Sequence, residues 1–151
     1  MRHTDRAGRQ AAAQEGSAVV EFVFLGVLLL VPLIYLTLMV ARVQAGSYAA
    51  TQAAREAGRA FVTADSEDAA SPRAQAAALI AFEDQGFGAG DAALSIACAS
   101  TPCLSPDARV TMTTQVTVPL PLIPSFARDV IPLEVPVSAT QVVTVDRFRG
   151  R

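Results

Sequence analysis

The sequence contains no lysine, one histidine and two cysteines. All twelve basic residues are arginine, which reads as genomic bias rather than function. The one histidine, His3, lies in the polar leader, so no general base of that type is available further along the chain. Two cysteines, Cys98 and Cys103, are too few to hold a metal ion without further ligands. There is no Gly-x-Ser-x-Gly elbow and no carboxylate pair with a pattern of burial around it. Glu83 and Asp84 are adjacent acids near a helix end, where their charges oppose the helix dipole, and they read as a solvated face. The glycine-rich Gly86-Phe87-Gly88-Ala89-Gly90 segment lacks the Lys-Ser/Thr that completes a phosphate loop, so it reads as a flexible turn. These absences describe a chain that is not an enzyme and needs no cofactor. Positive charge is also scarce. From Arg42 onward nine arginines face eleven acids, and the whole chain carries −2, so no basic face recruits nucleic acid.

One stretch lacks charge altogether. Phe22 to Ala41 spans twenty residues without an ionisable acid or base, and fourteen of them are Val, Leu, Ile or Phe. As a helix, twenty residues extend roughly 30 Å, the thickness of bilayer hydrocarbon. The fourteen apolar side chains favour insertion by about 4 to 8 kcal/mol in sum. Glu21 stands at the edge. Even at the bilayer centre an acid costs about 2.5 to 3.5 kcal/mol, so insertion still wins. The competing reading is a buried helix of a soluble domain. Inside the run, Pro32 removes one backbone donor and crowds the carbonyl near Leu28, so a kink is expected there.

The flanks divide the chain. Residues 1–16 carry Arg2, Arg6 and Arg9 with no apolar run, and read as a targeting leader rather than part of a fold. Residues 17–41 form the membrane helix. Arg42, Arg55 and Arg59 follow it, so charge bias alone is nearly neutral about orientation. Val43-Gln44-Ala45 fits the small-x-small rule for ordinary signal peptidase and would give a secreted soluble protein. Against that cut, the apolar run exceeds the roughly 7 to 15 residues of a secretory core.

Residues 42–63 continue as a helix. Ala41, Ala45, Ala49, Ala53 and Ala57 recur every four positions, with Gly46, Ala50, Ala54 and Gly58 beside them. Two small-residue rows on one face permit close backbone approach to another helix or to the domain behind it. Alanine is also the best helix former, which alone accounts for much of the pattern.

Residues 64–151 form the head. Ala64 to Ala70, with Asp65, Glu67 and Asp68, reads as an exposed acidic connection. Ser71-Pro72 reads as N-cap and first residue of a helix reaching Gln85, which Gly86 terminates and whose apolar side is Leu79, Ile80 and Phe82 with several alanines. Ala93 to Cys98 is a short strand. Val110, Met112, Thr114, Val116 and Val118 alternate with polar residues in a half-buried strand. After a connection punctuated by Pro119, Pro121 and Pro124, a last strand runs from Leu133 to Val145. Leu133, Val135, Val137, Ala139, Val143 and Val145 share one of its faces, and Pro136 implies an edge position or an irregular start. Antiparallel pairing of the two long strands under both helices predicts an α+β fold. Arg147, Arg149 and Arg151 form a frayed tail. Cys98 and Cys103 either close a small loop or stay as two inert thiols; a bond would suit an exported head.

Glu21 needs a reason, because an anchor inserts better without it. Gly16-Ser17 precedes the glutamate, Phe22 follows it at once, and a basic leader lies upstream. This resembles the class III signal of type IV prepilins. The resemblance implies a cut by prepilin peptidase between Gly16 and Ser17, leaving Glu21 as mature position five. It also implies that Glu21 pairs with the new amino terminus of a neighbouring subunit and sets helix register. Ala53-Ala54-Arg55-Glu56-Ala57-Gly58-Arg59-Ala60 is similar to a segment of TadE-like proteins, pseudopilins of the tight-adherence (Flp) pilus. Together the motifs cover roughly a third of the chain. Membership implies a single-pass membrane protein with cytoplasmic amino terminus and exported head, whose partners are the membrane, prepilin peptidase, other pilins and the pilus assembly machinery. An uncleaved bitopic membrane adaptor or secretion-system subunit is the alternative.

Overall fold

A computed structural model gives the backbone of residues 4–120 and 134–148, and the side chains from residue 18 onward within those ranges. In chain order the elements are α1 (Thr4–Val62), α2 (Glu67–Glu83), β1 (Ala92–Cys98), β2 (Arg109–Pro119) and β3 (Glu134–Thr144). The chain divides into two compact units, Met1–Leu38 and Met39–Arg151.

Among the described residues the first unit is helix alone. The assigned helix continues through Gly26 and Pro32 without interruption. Its apolar side chains are exposed all along it, Phe22 at 77% and Leu29 at 71% among them. Thr37 donates its hydroxyl to the Leu33 carbonyl one turn back, at 2.9 Å. That bond satisfies the hydroxyl without solvent.

The second unit is a three-stranded antiparallel sheet, in the order β1-β2-β3, with helix packed on one face. Central β2 supplies the core. Val110, Met112, Thr114, Val116 and Val118 are all fully buried, while Thr113 and Gln115 between them are exposed. Burying each such Val or Met side chain stabilises by about 1.5–3 kcal/mol. Period two therefore sorts this strand as its sequence foretold. From α1 the small residues Gly46, Ala49, Ala50, Ala53, Ala54, Ala57 and Gly58 are buried, with Gly46 and Ala50 meeting β2 and Gly58 meeting both β2 and β3, so the smooth face serves the head of its own chain. A Cβ on Gly46 would collide with the Val118 side chain, and one on Gly58 would meet Val143 Cγ1 at 2.7 Å. Helix and sheet approach that closely because nothing stands between them.

Hydrogen-bond parity explains the edges. Ala99 N donates to Arg109 O at 2.9 Å, and Thr117 N to Asp91 O at 2.7 Å. In the same register, the odd residues of β1 bond to odd residues of β2. Val145 N donates to Ala108 O at 2.9 Å, so the even residues of β2 bond to odd residues of β3. The backbone of Pro136, at an even position, then points to the open edge of β3. Its missing N–H removes no ladder bond, and the edge position expected from that proline is observed.

Three readings of the head need correction. The second helix does not open at Ser71-Pro72. Ser66 is its N-cap, with φ −143° and its hydroxyl accepting from Ala69 N at 3.3 Å. Glu67 and Asp68 thus form a first turn, where acids favour the dipole, rather than an exposed connection. Pro72 sits inside the helix, and the Ser71-Pro72 pair imitated a start signal that Ser66 already supplies. Second, Ile80 is 61% exposed and Leu79 is half-buried; the buried row is Ala70, Ala74, Ala78, Ala81 and Phe82. Small residues face inward because the helix lies close to its neighbours. Third, the glycine-rich segment is not merely a turn. Phe87 N donates to Phe82 O at 3.0 Å and Gly86 N to Glu83 O at 2.9 Å, the two bonds of a Schellman end, with Gly86 at φ +77°. Phe87 is buried beside Phe82 in the core.

Cys98 and Cys103 are joined by a disulfide, with Cα atoms 5.3 Å apart. A loop that short stabilises by about 2 kcal/mol on the chain-entropy estimate. Leu104 N, just beyond it, donates to Glu67 Oε1 at 3.0 Å, which ties the loop to the start of α2. Arg147 lies 3.8 Å from Asp107 in an exposed ion pair. Leu133, Pro121, Pro124, Arg149 and Arg151 lie outside the described residues.

Candidate functional site

The site that the sequence singles out is the start of the apolar helix. Gly16, Ser17, Glu21 and Phe22 all fall within α1. The side chains of Gly16's neighbours and of Ser17 lie outside the described residues. Glu21 is four residues beyond Ser17 in the same helix. Glu21 is exposed, and among the described residues no ion pair reaches it. Phe22 is the most exposed large apolar residue of the segment at 77%. Pro32 follows three turns later, within the same helix.

The physical character of this helix is its lack of cover. From Val19 to Val40 large apolar side chains are exposed on every side, and none of the most apolar window is buried within the chain. By length and composition the helix is able to cross a membrane. A core helix of a soluble domain is buried by its own chain; this one is not. Such a surface has the character of a membrane span or of a signal sequence near the amino terminus.

In the second unit the described buried side-chain polar groups are satisfied. No buried side-chain nitrogen or oxygen lacks a hydrogen bond, and no cluster of three or more His, Cys, Asp or Glu side chains is found among the described residues. Two shallow cavities open on the surface. One, of about 370 Å³, lies between α2 and β1, lined by Gln75, Ala78, Leu79, Phe82, Ala89 and Ala92–Leu94. The other, of about 430 Å³, lies between the Gln52–Glu56 turn of α1 and the Ala77–Gln85 side of α2, and includes the exposed Ile80. Neither was foreseen in the sequence, since both depend on how α2 sits. The one available signal was the uncharged run Ala92–Cys98 following a glycine-rich turn.

No family model, curated protein or solved structure matches the chain.

Proposed function

We propose that this chain is a membrane-anchored pseudopilin of the tight-adherence type, processed by prepilin peptidase between Gly16 and Ser17 and acting in pilus assembly. One observation carries the reading: an acid, Glu21, stands at the mouth of an apolar helix that the rest of the chain leaves uncovered. A carboxylate so close to hydrocarbon calls for a cationic partner. Cleavage before Ser17 supplies one, a new α-ammonium. Pairing with that ammonium on a neighbouring subunit relieves the desolvation of both charges and fixes the axial register of packed helices. In this reading Phe22 and the apolar residues after it pack against other pilins. The amino terminus stays cytoplasmic and the head is exported, where the Cys98–Cys103 bond persists. The Ala-rich part of α1 belongs to the head and leaves partner contacts to the membrane segment and the outer surface of the head.

A second reading draws on the buried face of α1, which begins at Gly46. A cut after Ala45 would keep every fully buried residue of α1, remove the partly buried Ala45, and release a soluble head. The intact mass of the mature protein separates the readings. A start at Ser17, lost when prepilin peptidase is deleted, is the expected result. A start at Gly46 would instead support the secreted head. A start at Met1 in active material would support the uncleaved bitopic subunit.

A further inference from the structure

The free edge of β1 differs from that of β3. Bond parity leaves Ala92, Leu94 and Ile96 with both N–H and C=O directed away from β2, and no hydrogen bond reaches those groups among the described residues. The side chains of the same residues turn toward the core and are half-buried. Between Ala92 and Cys98 there is no charge, proline or glycine, the usual devices that blunt an edge. On β3 the corresponding open positions include Pro136, and Glu134 begins the strand.

Beside the β1 edge lies the 370 Å³ cavity. It touches the inward residues Ala92 and Leu94 as well as the outward residue Ala93, so it follows the edge of the strand rather than one face. Its far wall is Ala78, Leu79 and Phe82 of α2, and Gln75 is the polar group on it. A row of unpaired main-chain groups next to an apolar trough is the geometry of strand addition. The backbone of a guest bonds the edge while alternate side chains enter the trough.

We infer that the β1 edge and the trough under α2 bind an extended, uncharged segment of a partner protein, which adds as a fourth strand with apolar residues at alternate positions. The hydrogen-bond row at Ala92, Leu94 and Ile96 demands extended backbone. The uncharged lining demands apolar side chains, because a charge placed there would lose hydration without gaining a partner. The site belongs to the head and is independent of processing at Gly16.

The test uses the full chain in detergent and a capped peptide of alternating Val and Thr as probe, followed by amide hydrogen exchange. In the free protein the Ala92, Leu94 and Ile96 amides exchange fast while those of Ala93, Ser95 and Ala97 are protected. Saturating peptide is expected to protect the first set. The same peptide N-methylated at alternate residues is expected not to bind. Leu79→Glu, at a half-exposed helix position, is expected to weaken the probe by about tenfold or more while leaving the Ala93, Ser95 and Ala97 protection intact. Leu94→Pro, which removes an edge donor as Pro136 does on β3, gives a second variant with the same expected loss. Binding that leaves the even amides exposed, or no binding at all, overturns the proposal. Protection of those amides that grows with protein concentration and without peptide also overturns it, in favour of a second copy of this chain.

Discussion

The Thr114 hydroxyl donates to the Ala50 carbonyl at 2.8 Å, across the interface between the central strand and α1. Thr114 is fully buried, and its Oγ1 also lies 3.2 Å from the Ala139 carbonyl of the neighbouring strand. One side chain thus ties helix, central strand and edge strand together, among neighbours that are otherwise apolar. Thr114→Val keeps the shape and removes the donor. The expected loss is about 0.5–1.5 kcal/mol, the net worth of a buried hydrogen bond, seen as a lower urea midpoint with unchanged m.

Gly46 packs where a Cβ has no room beside Val118. Gly46→Ala gains helix propensity of about 1 kcal/mol, yet overpacking costs about 1–3 kcal/mol. The expected net effect is destabilisation. Combining it with Val118→Ala should give a double mutant more stable than the sum of the two losses, which a double-mutant cycle measures.

Ile80 and Phe82 are two residues apart on α2 and have opposite fates, 61% and 3% exposed. Phe82→Ala is expected to cost about 3–5 kcal/mol, because it empties a buried position of the core. Ile80→Ser should stay within about 0.5 kcal/mol. Thermal unfolding of the two variants side by side checks the contrast.

Glu21→Val makes the apolar helix more apolar, so membrane insertion is expected to be unchanged. If the carboxylate pairs with a neighbour's ammonium, removing it strands that buried charge at about 3–5 kcal/mol, more than a hundredfold in association. Alkaline extraction of membranes reads insertion, and co-purification of pilin partners reads assembly. Wild-type co-purification would remove the register role from Glu21.

The alternating residues of β2 and the proline of β3 were legible because a strand with one buried face writes its burial at period two. Helix α2 was harder to read. Ser66 and Ser71 are both competent caps, and only the Ala69 amide bond and the first-turn acids favour the earlier one. Its inward face takes Phe82 and the alanines as expected and leaves out Ile80, because the space beside its neighbours admits alanine there. Phe87 reads as part of a turn unless Gly86 is taken as the left-handed residue of a Schellman end, whose local pattern sets an apolar residue after the glycine against one five positions back, here Phe82.

The sequence by itself determined the apolar helix from Phe22 to Ala41, the acid at its edge and the strand character of β2, since each depends on residues adjacent in the chain. Only the tertiary structure decided that the alanine and glycine rows are buried within the head of their own chain, that Thr114 bonds Ala50, and that among the described residues β1 keeps an open edge beside a trough. Those features depend on the distance between surfaces, which is set when helices and sheet close on one another and small side chains let them approach.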